Sequence, residues 1–180
     1  VIYQVLADKV IHDPVDYSLQ GTDAISLLNL PKEIYDRPLF QHPPLFVYSI
    51  SLVKIFLGPK GIVLLPILAI VFTAFLIFLI GKELYDENTA LLASFLFSLC
   101  PIALHTSTKI WIDPLLTMFC SLTVYLSLQA AKRQSLIWYI LSGASLGLAI
   151  LTKSPAVAII PVILYILFKN GFSLKIFGRF

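Results

Sequence analysis

The sequence predicts an all-α, polytopic membrane protein, and three observations predict it. Apolar residues make up 58% of the chain and the mean hydropathy is +0.90. Charged residues make up 13%, about half the usual share of a soluble domain. The apolar residues gather in runs long enough to cross hydrocarbon, where a helix satisfies its own backbone and an open strand does not. A soluble fold of 180 residues has no interior that could hide so much apolar surface.

The chain reads as one partial membrane domain, 1–180. Residues 1–43 are polar and mixed, an outer loop. Its opening, VIYQVLADKVI, sets Ile2, Val5, Leu6 and Val10 on one helical face with Gln4, Asp8 and Lys9 elsewhere, the pattern of an amphipathic helix lying along a membrane surface. A weaker helical patch covers 23–30 and is stopped by Pro31, and the turn-rich DPVDYSLQGTD lies between the two. Residues 44–58, PLFVYSISLVKIFLG, are too short to span with a lysine inside them and predict an interfacial helix. Five apolar runs follow as membrane helices: 61–81, 88–106 (broken late by Pro101), 114–131, 134–152 and 154–168, the last short and carrying Pro155 and Pro161. The chain opens at Val1 without an initiator Met and closes within a loop-like stretch at Phe180, so further sequence is expected on both sides.

Lysine and arginine in the short connections set the orientation. Lys132-Arg133 and the tail with Lys169, Lys175 and Arg179 are basic, and with the GKELYDEN loop they are assigned to the cytoplasm. The first loop, the 105–113 loop and Lys153 then share the outer or lumenal face, where loops distant in sequence can assemble a site. The net charge of +3 forms no basic stripe with interleaved aromatics, so nucleic acid is not expected as a partner. Cys100 and Cys120 stand alone in apolar runs and read as small packing residues. His12, His42, His105 and the acids show no zinc-type spacing, so no metal ligands are assigned. Gly143 and Gly147 in SGASLG have the spacing of close helix packing.

The polar residues of the outer face are the candidates for chemistry. Asp113 meets the helix that opens at Pro114. It reads either as an N-cap or as a carboxylate that binds metal, positions an acceptor hydroxyl or takes its proton. Lys109 and Lys153 read as snorkelling cations or as partners of a lipid phosphate, and Ser154-Pro155 opens a helix beside Lys153. His42, stiffened by Pro43-Pro44, reads as a phosphate donor, a metal ligand or an interfacial polar residue. No Gly-rich phosphate loop and no Ser-His-Asp pattern is present.

Four stretches carry a resemblance: YQVLADKVI; YDRPLFQHPPLFVYSISLVKIFLG; GKELYDENTALLASFLFSLCPIALHTSTKIWIDPLLTMF; and GLAILTKSPAV. In order and spacing they resemble the GT-C glycosyltransferases, and within them the dolichyl-phosphate-mannose-protein mannosyltransferases and the aminoarabinose transferases acting on lipid A. The resemblance implies a GT-C-like helical bundle with interfacial helices in the first outer loop. It implies an enzyme that takes a hexose or pentose from a polyprenyl-phosphate donor in the bilayer and moves it, with inversion, to an acceptor hydroxyl at the outer or lumenal face. By the same resemblance Asp113 is the second functional acid, and Lys153 is the lysine of a Leu-Thr-Lys-Gly-Pro element. His42 stands where some relatives have Lys, Gln41 where some have Glu, and Tyr3 matches a recurrent tyrosine. The family's principal catalytic Asp precedes the amphipathic helix, so this stretch is expected to lack it. Gln41 in place of Glu weakens an acid-dependent metal site; a divalent metal is left open as the cofactor, and the acceptor is not specified. The alternative from another class is a transporter or flippase of a lipid-linked substrate, which predicts ionisable residues near the middle of the spans. They avoid the middle here. A non-catalytic scaffold would need neither Asp113 nor His42.

Overall fold

The computed structural model describes residues 2–22 and 43–169. Gln41, His42, the 23–30 patch, Lys175 and Arg179 lie outside these. All regular structure among the described residues is helical: α1 (Ile2–His12), α2 (Leu45–Leu57), α3 (Leu64–Leu84), α4 (Glu87–Ser98), α5 (Pro101–Ser107), α6 (Asp113–Arg133), α7 (Leu136–Thr152) and α8 (Ile160–Lys169). Short 3-10 turns at Pro59–Val63 and Ser154–Ile159 lead into α3 and α8. The chain divides into two compact units, Val1–Leu65 and Pro66–Phe180.

In the N-terminal unit α1 packs on α2. Leu6, Ala7 and Val10 face Phe46, Val47 and Ile50, all buried, and Ser51 Oγ donates to the Ala7 carbonyl at 3.1 Å. Tyr3 meets Phe46 edge to face, ring centres 5.1 Å apart. Lys54, the lysine that argued against a span, pairs with Asp8 of α1. The loop after α1 is wound around Lys9. Its Nζ donates to the carbonyls of Ser18 and Gln20 at 3.1 and 2.7 Å and pairs with Asp16 Oδ2 at 2.7 Å. Asp16 also accepts from the Ser18 amide and hydroxyl, and these partners, Lys9 foremost, hold its carboxyl at about 2. Gly58 closes α2 at φ 72°, ψ 179°, a backbone region that is essentially glycine-only.

In the C-terminal unit α6 and α7 form the largest helix–helix contact. They are antiparallel, joined at Gln134-Ser135, with Gln134 left-handed at φ 49°. Their interface is built from hydroxyls. Thr123 Oγ1 lies 3.0 Å from Ser145 Oγ, and the Ser127 and Ser142 hydroxyls are 2.7 Å apart, all four buried. Each hydroxyl at this depth has a partner, as an apolar surrounding demands. Gly143 and Gly147 do not form this interface: a Cβ on either would meet nothing within 4 Å. The small residues that bring α7 onto α6 are Ser142, Ser145, Ala149 and Thr152, one helical face away from the glycines. Close backbone approach occurs instead at Gly81, where a Cβ would stand 2.8 Å from Ala90 Cα, and Ser94 Oγ donates to the Ala74 carbonyl nearby at 2.8 Å.

Two helices are long and apolar enough to cross a membrane, Pro59–Leu84 and Asp113–Arg133. α4 and α5 make a third when taken as one span bent by 57° at the break before Pro101. α7 and the Ser154–Lys169 segment are apolar but shorter. Side chains such as Leu68, Val71, Phe72, Phe95, Ile137 and Ile140 are exposed, as they are when lipid is the solvent. The protein is an all-α membrane protein.

Candidate functional site

Asp113 is the first helical residue of α6, with Pro114 second. The helix has no side-chain cap: neither Ile112 nor Asp113 takes a backbone amide of the first turn on its side chain. The Asp113 carboxylate is therefore not spent on capping. It is anchored from both sides, since Ile112, Pro114 and Leu115 are buried, and its own side chain is partly exposed.

Lys153 reaches it from forty residues away. α7 ends at Thr152, which is fully buried and bonds the Leu148 carbonyl. Lys153 is extended (φ −158°, ψ 130°) and breaks the helix, and Pro155 starts the next turn. The Lys153 ammonium donates to Asp113 Oδ1 at 2.8 Å, with side chains 33% and 45% exposed. The two residues that read separately as phosphate cation and functional acid are one pair. At this exposure such a pair is worth about 0–1 kcal/mol, so an incoming anion or hydroxyl can exchange into it at small cost.

Lys109 does not join the pair; its ammonium lies 5.5 Å from the centre of the Trp111 ring. His105 meets the same ring edge to face at 5.9 Å. Trp111, 44% exposed and two residues before Asp113, was not singled out as a site residue in the sequence; a tryptophan flanked by a lysine at the end of a span was the available signal. Tyr3 belongs to the N-terminal unit, against Phe46. Among the described residues no three His, Cys, Asp or Glu side chains converge to hold a metal. Among the described residues the Asp113 carboxylate is engaged by the Lys153 ammonium alone.

The opposite end of α6 carries a different arrangement. Lys132 donates to Glu83 Oε1 of α3 at 2.7 Å, and Gln129 reaches Glu83 Oε2 at 3.2 Å. Both oxygens of Glu83 are thus taken, and the pairing ties α3 to α6.

A family model for dolichyl-phosphate-mannose-protein mannosyltransferases matches residues 41–177, which is most of the chain and includes Asp113 and Lys153. The chain belongs to that family. The protein is accordingly a membrane glycosyltransferase of the mannosyltransferase type. No curated protein and no solved structure matches it. The transferase's match begins at Gln41, so Tyr3 rests on the resemblance alone.

Proposed function

We propose that this transferase moves a sugar from a polyprenyl-phosphate donor to an acceptor hydroxyl at the outer or lumenal face, and that Asp113 and Lys153 belong to its active centre. The observation that carries this is the Asp113–Lys153 pair: an uncapped carboxylate and an ammonium, partly open, at the end of a membrane-spanning helix. The donor's lipid tail keeps its reactive carbon at the interface, which is where the pair lies.

In the reaction the acceptor oxygen attacks the anomeric carbon. The bond from that carbon to the phosphate oxygen breaks, and polyprenyl phosphate leaves with the electron pair. Charge builds on the phosphate, and a positioned cation stabilises it. Lys153 is that cation. The phosphate draws the ammonium from Asp113, and the carboxylate so released orients the acceptor hydroxyl. The hydroxyl proton passes to the first-loop acid that the resemblance places ahead of Tyr3. His42 and Gln41 at the end of that loop, Lys109 near Trp111, and Tyr3 are proposed to bind donor or acceptor. A divalent metal is left open as the cofactor.

The test supplies membranes containing the full chain with radiolabelled polyprenyl-phosphate sugars and compares wild type with Asp113→Asn and His42→Ala at matched expression. Transfer that collapses in Asp113→Asn supports the reading. Transfer that persists unchanged makes Asp113 a structural residue. No transfer from any donor, with export of a lipid-linked sugar instead, favours the transporter.

A further inference from the structure

At the end of the C-terminal unit away from Asp113, α3, α6 and α8 terminate together, and a cavity of about 390 Å³ opens between them. Buried Leu128 and Ile166 contribute its apolar wall, and Glu83, Lys132, Tyr165 and Lys169 its polar one. Glu83 is matched by Lys132 and Gln129. Lys169 has no carboxylate partner among the described residues; its ammonium stands 5.7 Å from the centre of the Tyr165 ring. Two cations against one carboxylate leave the lining with one net positive charge.

The depth of the cavity is marked independently. Cation–aromatic pairs gather at this end: Lys82 with Phe78, Arg133 with Trp138, and Lys169 with Tyr165. Tyr85 and Tyr165 are exposed beside them. Aromatic rings and cations of this kind concentrate at the headgroup level of a bilayer, where lipid phosphates lie. A lysine at a helix C-terminus offsets the helix dipole. That accounts for each lysine singly, but not for a half-open cavity lined by three helices with a surplus ammonium on its wall.

We propose that this cavity binds the phosphodiester headgroup of a monoanionic phospholipid. Lys169 and Lys132 are the cations that meet the phosphate, and the acyl chains lie over the exposed apolar faces of Leu164 and Phe168. One negative charge on the lipid neutralises the net charge of the lining. The lipid bridges the ends of three helices and stands about 30 Å from Asp113, the length of α6, so it is separate from the sugar-donor site.

The full chain, purified in detergent, is titrated with phosphatidylglycerol or phosphatidylcholine, and bound lipid is counted by native mass spectrometry. Phosphatidylglycerol is expected to bind at least about fivefold more tightly than phosphatidylcholine. Lys169→Gln is expected to remove about fivefold of its affinity while Lys169→Arg keeps it. Lys169→Gln breaks no ion pair among the described residues, and its unfolding midpoint without lipid is expected to match wild type. Equal binding of the two lipids, undiminished binding to Lys169→Gln, or displacement of the lipid by millimolar inorganic phosphate alone would overturn the proposal.

Discussion

The two ends of α6 carry the same kind of pair in opposite states of use. At one end Glu83 receives Lys132 and Gln129 on its two oxygens, and its side chain is 22% exposed. At the other, Asp113 receives Lys153 on one oxygen, among the described residues, and is 45% exposed. A carboxylate held on both oxygens between two helices is a tie; one held on a single oxygen and more exposed has more acceptor capacity left for a ligand. The Glu83 end keeps a surplus cation, Lys169, and the Asp113 end keeps surplus oxygen. Acid–lysine pairing alone does not mark a site. What the remaining lone pairs face does.

The comparison breaks most sharply on Asp113→Asn. It is expected to lower transfer by at least about 100-fold, with an unfolding midpoint close to wild type; a fall in stability with transfer intact would make the two ends alike. Lys153→Met is expected to cost roughly 10- to 100-fold in kcat/KM. The KM for the donor should rise with phosphate contact, and initial rates across donor concentrations check this. Glu83→Ala should act on stability, about 1–3 kcal/mol by loss of the α3–α6 tie, and a chemical unfolding series in detergent reads it. Gly81→Val tests the same α3 end without touching charge. The side chain would meet Ala90 backbone, and a cost of about 1–3 kcal/mol is expected.

The smallest effect concerns the loop around Lys9. Asp16 is held at about 2, below its ordinary 3.8, so its contribution to loop order is fully present above pH 4. It is lost as pH falls through 3.8 towards 2. Protection of the Ser18 amide, its exchange rate relative to the intrinsic rate at the same pH, should fall across that window, and Asp16→Asn should abolish the dependence.

The helices were legible because proline and charge punctuate the apolar runs: Pro59, Pro101, Pro114 and Pro155 each stand at or next to a helix start. Asp113 and Lys153 were legible singly, as ionisable residues at the ends of apolar runs. Their pairing was not, since it depends on α6 and α7 lying antiparallel in one register, a property of the packing rather than of either segment. Hydroxyls at 123, 127, 142 and 145 read as ordinary members of apolar runs because nothing local says which face they take. The glycines of α7 lie off the face that packs on α6. Glu83 was passed over because acids weigh little in orientation, although they matter in tying helices together.

The hydroxyl ladder has a further consequence as a ruler. Thr123 lies ten residues into α6 from Asp113, and Ser145 eight residues before Lys153, so the contact between them measures about 12–15 Å along each helix to the pair. A slip of one turn, about 5.4 Å, would take Ser142 and Ser145 from their partners on α6, while Thr123 and Ser127 kept their bonds to the Phe119 and Thr123 carbonyls, and would carry the Lys153 ammonium out of reach of the Asp113 carboxylate. The buried hydroxyls thus calibrate the alignment of the surface pair from within the bundle, and shortening either helix by a turn between rung and surface would shift the pair out of register without altering any residue of the site.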